Sequence, residues 1–162
     1  MAKRKAAPHR LPRPARSSAA ASAAPAWRYI ESSALVAAVI EGDMAARASI
    51  RGPGQRITSA LTIAETSRAV LRARLWGRVT AQQHRAALLT LQRFARRCHI
   101  VSVTETILAR AGRPFPVEPI RTLDAIHLAT AEALGEPPAL VMIITRDARV
   151  RENSAAIGFS VE

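Results

Sequence analysis

Short apolar runs alternate with longer mixed stretches along this chain, and Gly, Pro, Ser and Thr punctuate the joins. Trp27–Ile30, apolar except for Arg28, predicts a short strand ending at Glu31. Ser32 and Ser33 stand where an N-cap belongs, ahead of an apolar helix from Ala34 to Ile40. Gly42-Asp43 breaks that helix, Met44–Ile50 predicts a second short one, and Arg51-Gly52-Pro53-Gly54 reads as a turn. Arg56–Thr58 predicts a short strand, and Ser59 caps a long helix from Ala60 to Trp76. Gly77 ends it, and Thr80 caps the next helix, which runs to about Arg97. His99–Val103 alternates as a strand, a helix follows over Thr104–Ala111, and Gly112–Pro116 is a loop. Thr122 caps a helix over Leu123–Leu134, and Ala139–Ile144 is the best candidate for a buried strand. Asp147–Ile157 predicts the last helix, and Phe159–Val161 a last short strand.

Short apolar strands alternating with helices imply right-handed crossovers and a parallel sheet covered on both faces. The expectation is a single α/β domain over residues 27–162, a short central parallel sheet flanked by helices. Residues 1–26, rich in Arg, Ala and Pro, are expected to form a disordered basic tail. No apolar run approaches the roughly 18–20 residues of a membrane span. A single cysteine, Cys98, excludes an intrachain disulfide framework and fits a reducing, cytoplasmic setting.

Charge changes the picture in one respect. The chain has 24 Lys+Arg against 12 Asp+Glu, a formal net charge of +12, which points to a polyanionic partner. Residues 1–28 contain seven basic residues and no acid, a charge of +7. Residues 29–162 therefore hold 17 basic residues against 12 acids, a modest +5.

The acids are more informative than the bases. Open parallel sheets bind ligands beyond the carboxyl ends of their strands. Glu31 follows the first strand, and Asp147 lies three residues past Ile144. Glu65 occupies the second turn of its helix and Asp124 the first turn of its own, among apolar or small neighbours. Should the four converge, their repulsion calls for a cation, and Mg²⁺ or Mn²⁺ takes oxygen ligands of this kind. Each acid also has a purely structural account: Asp124 favours a helix dipole, Asp147 caps a helix, and Glu31 ends a strand in solvent. Spacings of 34, 59 and 23 residues do not decide between the two accounts.

Four segments, in order, resemble the PIN-domain family, most closely the VapC-type toxins of type II toxin–antitoxin systems. They are Tyr29-Ile30-Glu31-Ser32-Ser33-Ala34-Leu35, Thr58-Ser59-Ala60-Leu61-Thr62-Ile63-Ala64-Glu65, Leu123-Asp124-Ala125-Ile126-His127-Leu128-Ala129 and Ile144-Thr145-Arg146-Asp147. The resemblance covers about residues 28–162. It implies a ribonuclease cutting single-stranded or structured RNA, with Mg²⁺ or Mn²⁺ held by an acidic cluster that maps onto Glu31, Glu65, Asp124 and Asp147. The family's small hydroxyl residues match Ser33 and Thr145. The resemblance further implies a cognate antitoxin in the site groove and a homodimer. One position departs: the family usually has Asp where this chain has Glu31, and Mg²⁺ tolerates little error in ligand placement. A catalytically weakened module that binds RNA or a partner is the alternative this departure raises.

Arg68 and Arg72, three and seven residues after Glu65, share its helix face and would hold a phosphate backbone, with Arg146 and Arg149 near Asp147. A solvated arginine face is the plain alternative. His127, one turn beyond Asp124, reads as a packed or hydrogen-bonded histidine rather than a catalytic base, since metal-bound water needs none. A helix-turn-helix is disfavoured, because a predicted strand separates Ala34–Ile50 from Ala60–Trp76.

Overall fold

A computed structural model describes residues 25–162; the expected N-terminal tail, up to residue 24, lies outside the described residues. β1 (Trp27–Ile30) is buried at all four positions, as befits a strand with neighbours on both sides. Its partners are β2 (Gln55–Ser59) and β4 (Val141–Ile144), both parallel to it. β3 (His99–Val101) extends the sheet beyond β2, and β5 (Ser160–Val161) extends it beyond β4. The order is β3-β2-β1-β4-β5, so the first strand sits at the centre.

Alternation along β1 divides the core in two. Trp27 and Tyr29 face a cluster with Ile57, Ile143, Leu128 and Val150. That face is covered by α5 (Glu105–Ala111), α6 (Thr122–Glu132) and α7 (Ala148–Ile157). Ile30 faces the other way, with Leu35, Ile50, Leu91 and Ile144. This second face is covered by α1 (Ser32–Val36), α2 (Met44–Arg51) and α4 (Ala81–Ala95). Between them, α3 (Ala60–Leu75) buries Thr62, Thr66, Val70 and Ala73, a single stripe at helical spacing.

The predicted elements form in the predicted order, with local corrections. Glu31, not Ser32 or Ser33, is the N-cap of α1: its carboxylate accepts from the Ser33 backbone N–H. The serines instead enter the first turn and aim their hydroxyls back at that carboxylate. The helix predicted over Ala34–Ile40 ends at Val36 and widens into a π turn over Ala37–Glu41, closed by Gly42 at φ +74°. Thr122 lies inside α6, behind Arg121, which makes no side-chain cap. β3 stops at Val101, and Pro138–Leu140 forms a 3₁₀ turn before β4, since proline lacks the N–H a ladder needs. Ser59 and Thr80 cap α3 and α4 as the sequence predicts.

Arg28 is buried under the sheet with its guanidinium on the Glu162 carboxylate, which also accepts from Ser49 Oγ at 2.8 Å. Gly52 makes room for it, because a Cβ there would sit 2.6 Å from Arg28 Cζ. Burial pushes the Cys98 thiol up to about 12, which leaves it inert at neutral pH. Among the described residues no helix is long and apolar enough to cross a membrane.

Candidate active site

The carboxyl ends of β1 and β4 lie side by side, and the ladder continues past them through Glu31 N–H to Ile144 O at 3.0 Å. This pins Glu31 against the segment that follows β4. Glu31 is 3% exposed, which overturns the account in which it merely ends a strand in solvent. Its Oε2 accepts from Ser33 N (2.9 Å), from Thr145 Oγ1 (2.9 Å) and from Ser33 Oγ; its Oε1 accepts from Ser32 Oγ (2.5 Å). A buried carboxylate this well supplied with donors has its charge compensated by dipoles rather than by a cationic side chain.

Glu65 enters from α3 and is partly exposed. Its Oε2 lies 2.7 Å from His127 Nε2, and the same nitrogen lies 3.7 Å from Glu31 Oε1. Burial works against ionised Glu65, yet its hydrogen bond and charge interaction with His127, with Ser32 and Arg72 nearby, hold the carboxyl below its usual value. His127 is buried on α6, with Nδ1 3.1 Å from Tyr29 Oη.

Asp124 lies in the first turn of α6. Its Oδ2 is buried with no hydrogen-bond partner, in contrast to the other acids here. Partial burial, then the charges of Asp147 and Glu31, push its carboxyl above the ordinary value; Arg121 and His127 oppose this. Asp147 caps α7, its Oδ1 accepting from Arg149 N (2.8 Å) and Val150 N (3.1 Å). The structural account of Asp147 as a cap therefore holds, but it leaves the second carboxylate oxygen outside that cap.

Asp124 thus lies within electrostatic reach of Asp147 and Glu31, while Glu65 joins Glu31 through His127. The candidate ligand atoms of Glu31, Glu65 and His127 all lie within 4.8 Å of one another. Asp124 offers an unbonded buried oxygen in a cluster whose charges repel, a donor that a cation would satisfy. Oxygen-rich donors of this type suit Mg²⁺ or Mn²⁺, so the residues fit such an ion.

The surrounding arginines divide. Arg68 and Arg72 are exposed on the α3 face that carries Glu65. Arg149 is exposed beside Asp147. Arg146, by contrast, is tied to Asp43 through Nε at 3.0 Å, so it is already paired. Sequence reasoning missed Tyr29 and Arg121. Tyr29 reads as a core aromatic on β1, and only its distance to His127 marks it; Arg121 stands three residues before Asp124, a signal that was available.

The raised pKa of Asp124 carries a prediction. Asp124 has a folded value above its unfolded one, so its ionisation destabilises the fold as pH rises through and above the ordinary carboxylate range. In chelator, Asp124→Asn is therefore expected to melt at a higher temperature than wild type near neutral pH. The advantage should shrink as pH falls toward the ordinary carboxylate range, about 4, and the wild-type carboxyl takes up its proton. Paired thermal melts across that interval measure it, and a constant difference would refute the assignment.

Fold and site together define a small parallel-sheet domain with carboxylates gathered at the strand ends, where Glu31, Glu65 and His127 could hold a metal ion. The chain belongs to the PIN-domain family, whose match spans residues 28–155. Ribonuclease VapC46 of Mycobacterium tuberculosis is 37% identical over 136 residues, 82% of this chain and 94% of that protein. Ribonuclease VapC35 of the same species is 32% identical over 141 residues, again 82% of this chain and 93% of that protein. Among solved structures, Mycobacterium tuberculosis VapC20, a Sarcin-Ricin loop cleaving toxin, aligns with TM-score 0.58 at 19% identity. That alignment covers 82% of this chain and 95% of VapC20. VapBC2 from Rickettsia felis, bound to a promoter DNA fragment, aligns with TM-score 0.59 at 13% identity over 84% of this chain and 97% of that one. These structural likenesses establish the fold.

Proposed function

We propose that this protein is a metal-dependent endoribonuclease, the toxin of a type II toxin–antitoxin pair, hydrolysing RNA phosphodiester bonds. Asp124 carries the reading: an acid with an unbonded buried oxygen, repelled by Asp147 and Glu31, at the carboxyl edge of a parallel sheet. The ribonuclease names of its relatives support the same conclusion.

Glu31, Asp124 and Asp147 would hold Mg²⁺ or Mn²⁺, and Glu65 would ligate it or orient the attacking water. When bound, the ion supplies a water of lowered pKa and neutralises charge on the scissile phosphate. Ser33 and Thr145 hold the Glu31 carboxylate in place by donating to its Oε2. Glu31 reaches the cluster despite its extra methylene, folding its carboxylate onto the first turn of α1. Arg68, Arg72 and Arg149 follow the RNA backbone, each as an exposed cation next to an acid of the cluster. Arg146 contributes through its pair with Asp43.

The partner is a cognate antitoxin; a solved likeness from Klebsiella pneumoniae is itself a toxin–antitoxin complex. A cavity of about 690 Å³ has an apolar floor of Leu35, Val39, Ile50 and Phe94 and is rimmed by Arg47, Arg51, Arg56, Arg93 and Arg97, which suits an acidic amphipathic segment. The protein acts in the cytoplasm, as a homodimer, with residues 1–26 a tail outside the nuclease domain.

The test is cleavage of a defined RNA pool by purified protein. Cleavage is expected with Mg²⁺ or Mn²⁺ and is expected to stop with chelator. RNA bound tightly but left intact under either ion would turn the reading toward the weakened module.

A further inference from the structure

We propose that Tyr29 and His127 form a buried clamp that fixes the Glu65 carboxylate. In it the imidazole presents an Nε2 proton to Glu65 and turns Nδ1 toward Tyr29. This deepens the nuclease reading and rests on it for the role of Glu65. The clamp itself rests on geometry.

His127 is 1% exposed, yet both ring nitrogens have a polar partner: Glu65 Oε2 at 2.7 Å and Tyr29 Oη at 3.1 Å. The two rings meet edge-on, with centroids 6.3 Å apart and planes at 70°. A histidine kept only for packing would not require this pairing at both ends. Two hydroxyls neighbour the phenol, those of Thr130 and Ser59. Thr130 directs its own hydrogen to Ile126 O at 2.6 Å. A carboxylate only accepts, so the contact with Glu65 calls for a ring proton on Nε2. That proton faces Glu65 directly and has Glu31 Oε1 3.7 Å away.

The consequence falls on Glu65, whose side chain is 25% exposed and free to swing into solvent without an anchor. One fixed N–H on Oε2 selects one rotamer and leaves Oε1 for the work of the site. His127 and Tyr29 are thus positioning residues that act through Glu65, on the pattern of outer partners that orient metal-binding carboxylates.

Long-range ¹H–¹⁵N correlation spectra of the labelled imidazoles read the tautomer in the wild-type protein, with His127→Gln assigning the signal. The expected pattern is Nε2–H, unchanged by Mg²⁺. A ring with no proton on Nε2 overturns the proposal. Calorimetric titration with Mn²⁺ supplies a second readout. His127→Ala is expected to weaken binding by about 10–100-fold, the range for loss of an outer-shell partner. His127→Gln, whose amide N–H reaches toward the Nε2 position, should recover most of that loss, and Tyr29→Phe should lose less. A folded His127→Ala protein with wild-type Mn²⁺ affinity also overturns the clamp. Wild-type protein that neither binds Mn²⁺ nor cleaves RNA defeats the nuclease reading instead, and the tautomer then decides the clamp alone.

Discussion

Asp124→Asn is expected to lower RNA cleavage by at least about 100-fold, the upper end of what even outer-shell losses cause at metal sites. The substitution keeps the size of the side chain and one carbonyl oxygen. It removes the charge that Asp147 and Glu31 now oppose. Because α6 is buried from Ala125 to Ala131, the helix stays anchored whichever residue occupies its first turn. The variant should therefore fold, melt higher than wild type in chelator, and lose the stabilisation that added Mn²⁺ gives the wild type. A gain in stability with a loss of activity is the signature of a group held in place for chemistry. Single-turnover cleavage with Mg²⁺ and with Mn²⁺ measures the loss. Wild-type rates in the variant would remove Asp124 from the mechanism.

Glu162→Ala is expected to cost about 2–3 kcal/mol of stability. Removing one partner of a buried pair typically costs about 3–5 kcal/mol, reduced here because the Glu162 side chain is 47% exposed and partly screened. The loss arises on Arg28, which is buried on the central strand and whose Nε has no partner. The opposite deletion should be milder. Arg28→Met leaves Glu162 close to water and to Ser49, so about 1 kcal/mol or less is expected. Denaturant unfolding of both variants tests the asymmetry, and equal losses would contradict it. The hydrogen bond from Ser49, opposed by partial burial and aided by Arg28, holds the Glu162 carboxyl below its ordinary value. Its stabilising contribution is therefore present above the ordinary carboxylate range and is lost as pH falls through the folded value.

Much of the architecture was legible because its signals are local. Ser59 and Thr80 cap their helices through bonds only two or three residues long, and Gly42, Gly77 and Gly135 stop helices by adopting positive φ. Misreadings arose where a side chain outside the local pattern competed. Ser32 and Ser33 have cap chemistry, but the longer Glu31 reaches the same N–H and displaces them. Arg146, read from the sequence as a neighbour of Asp147, also pairs with Asp43, 103 residues away in the chain, a contact no local pattern records.

The sequence by itself determined the alternation of strands and helices, the split of charge between tail and domain, and which acids stand at strand ends and helix starts. Those properties depend on period, capping and position, which neighbouring residues carry. Only the tertiary structure decided that β1 lies between β2 and β4, so that Thr145 meets Glu31 across 114 residues. It alone brought Tyr29, His127 and Glu65 into one hydrogen-bonded chain and left a buried oxygen of Asp124 without a partner. Parallel strand order is set by long crossovers packing against distant faces, and spacings of 34, 59 and 23 residues hold no record of where those crossovers return.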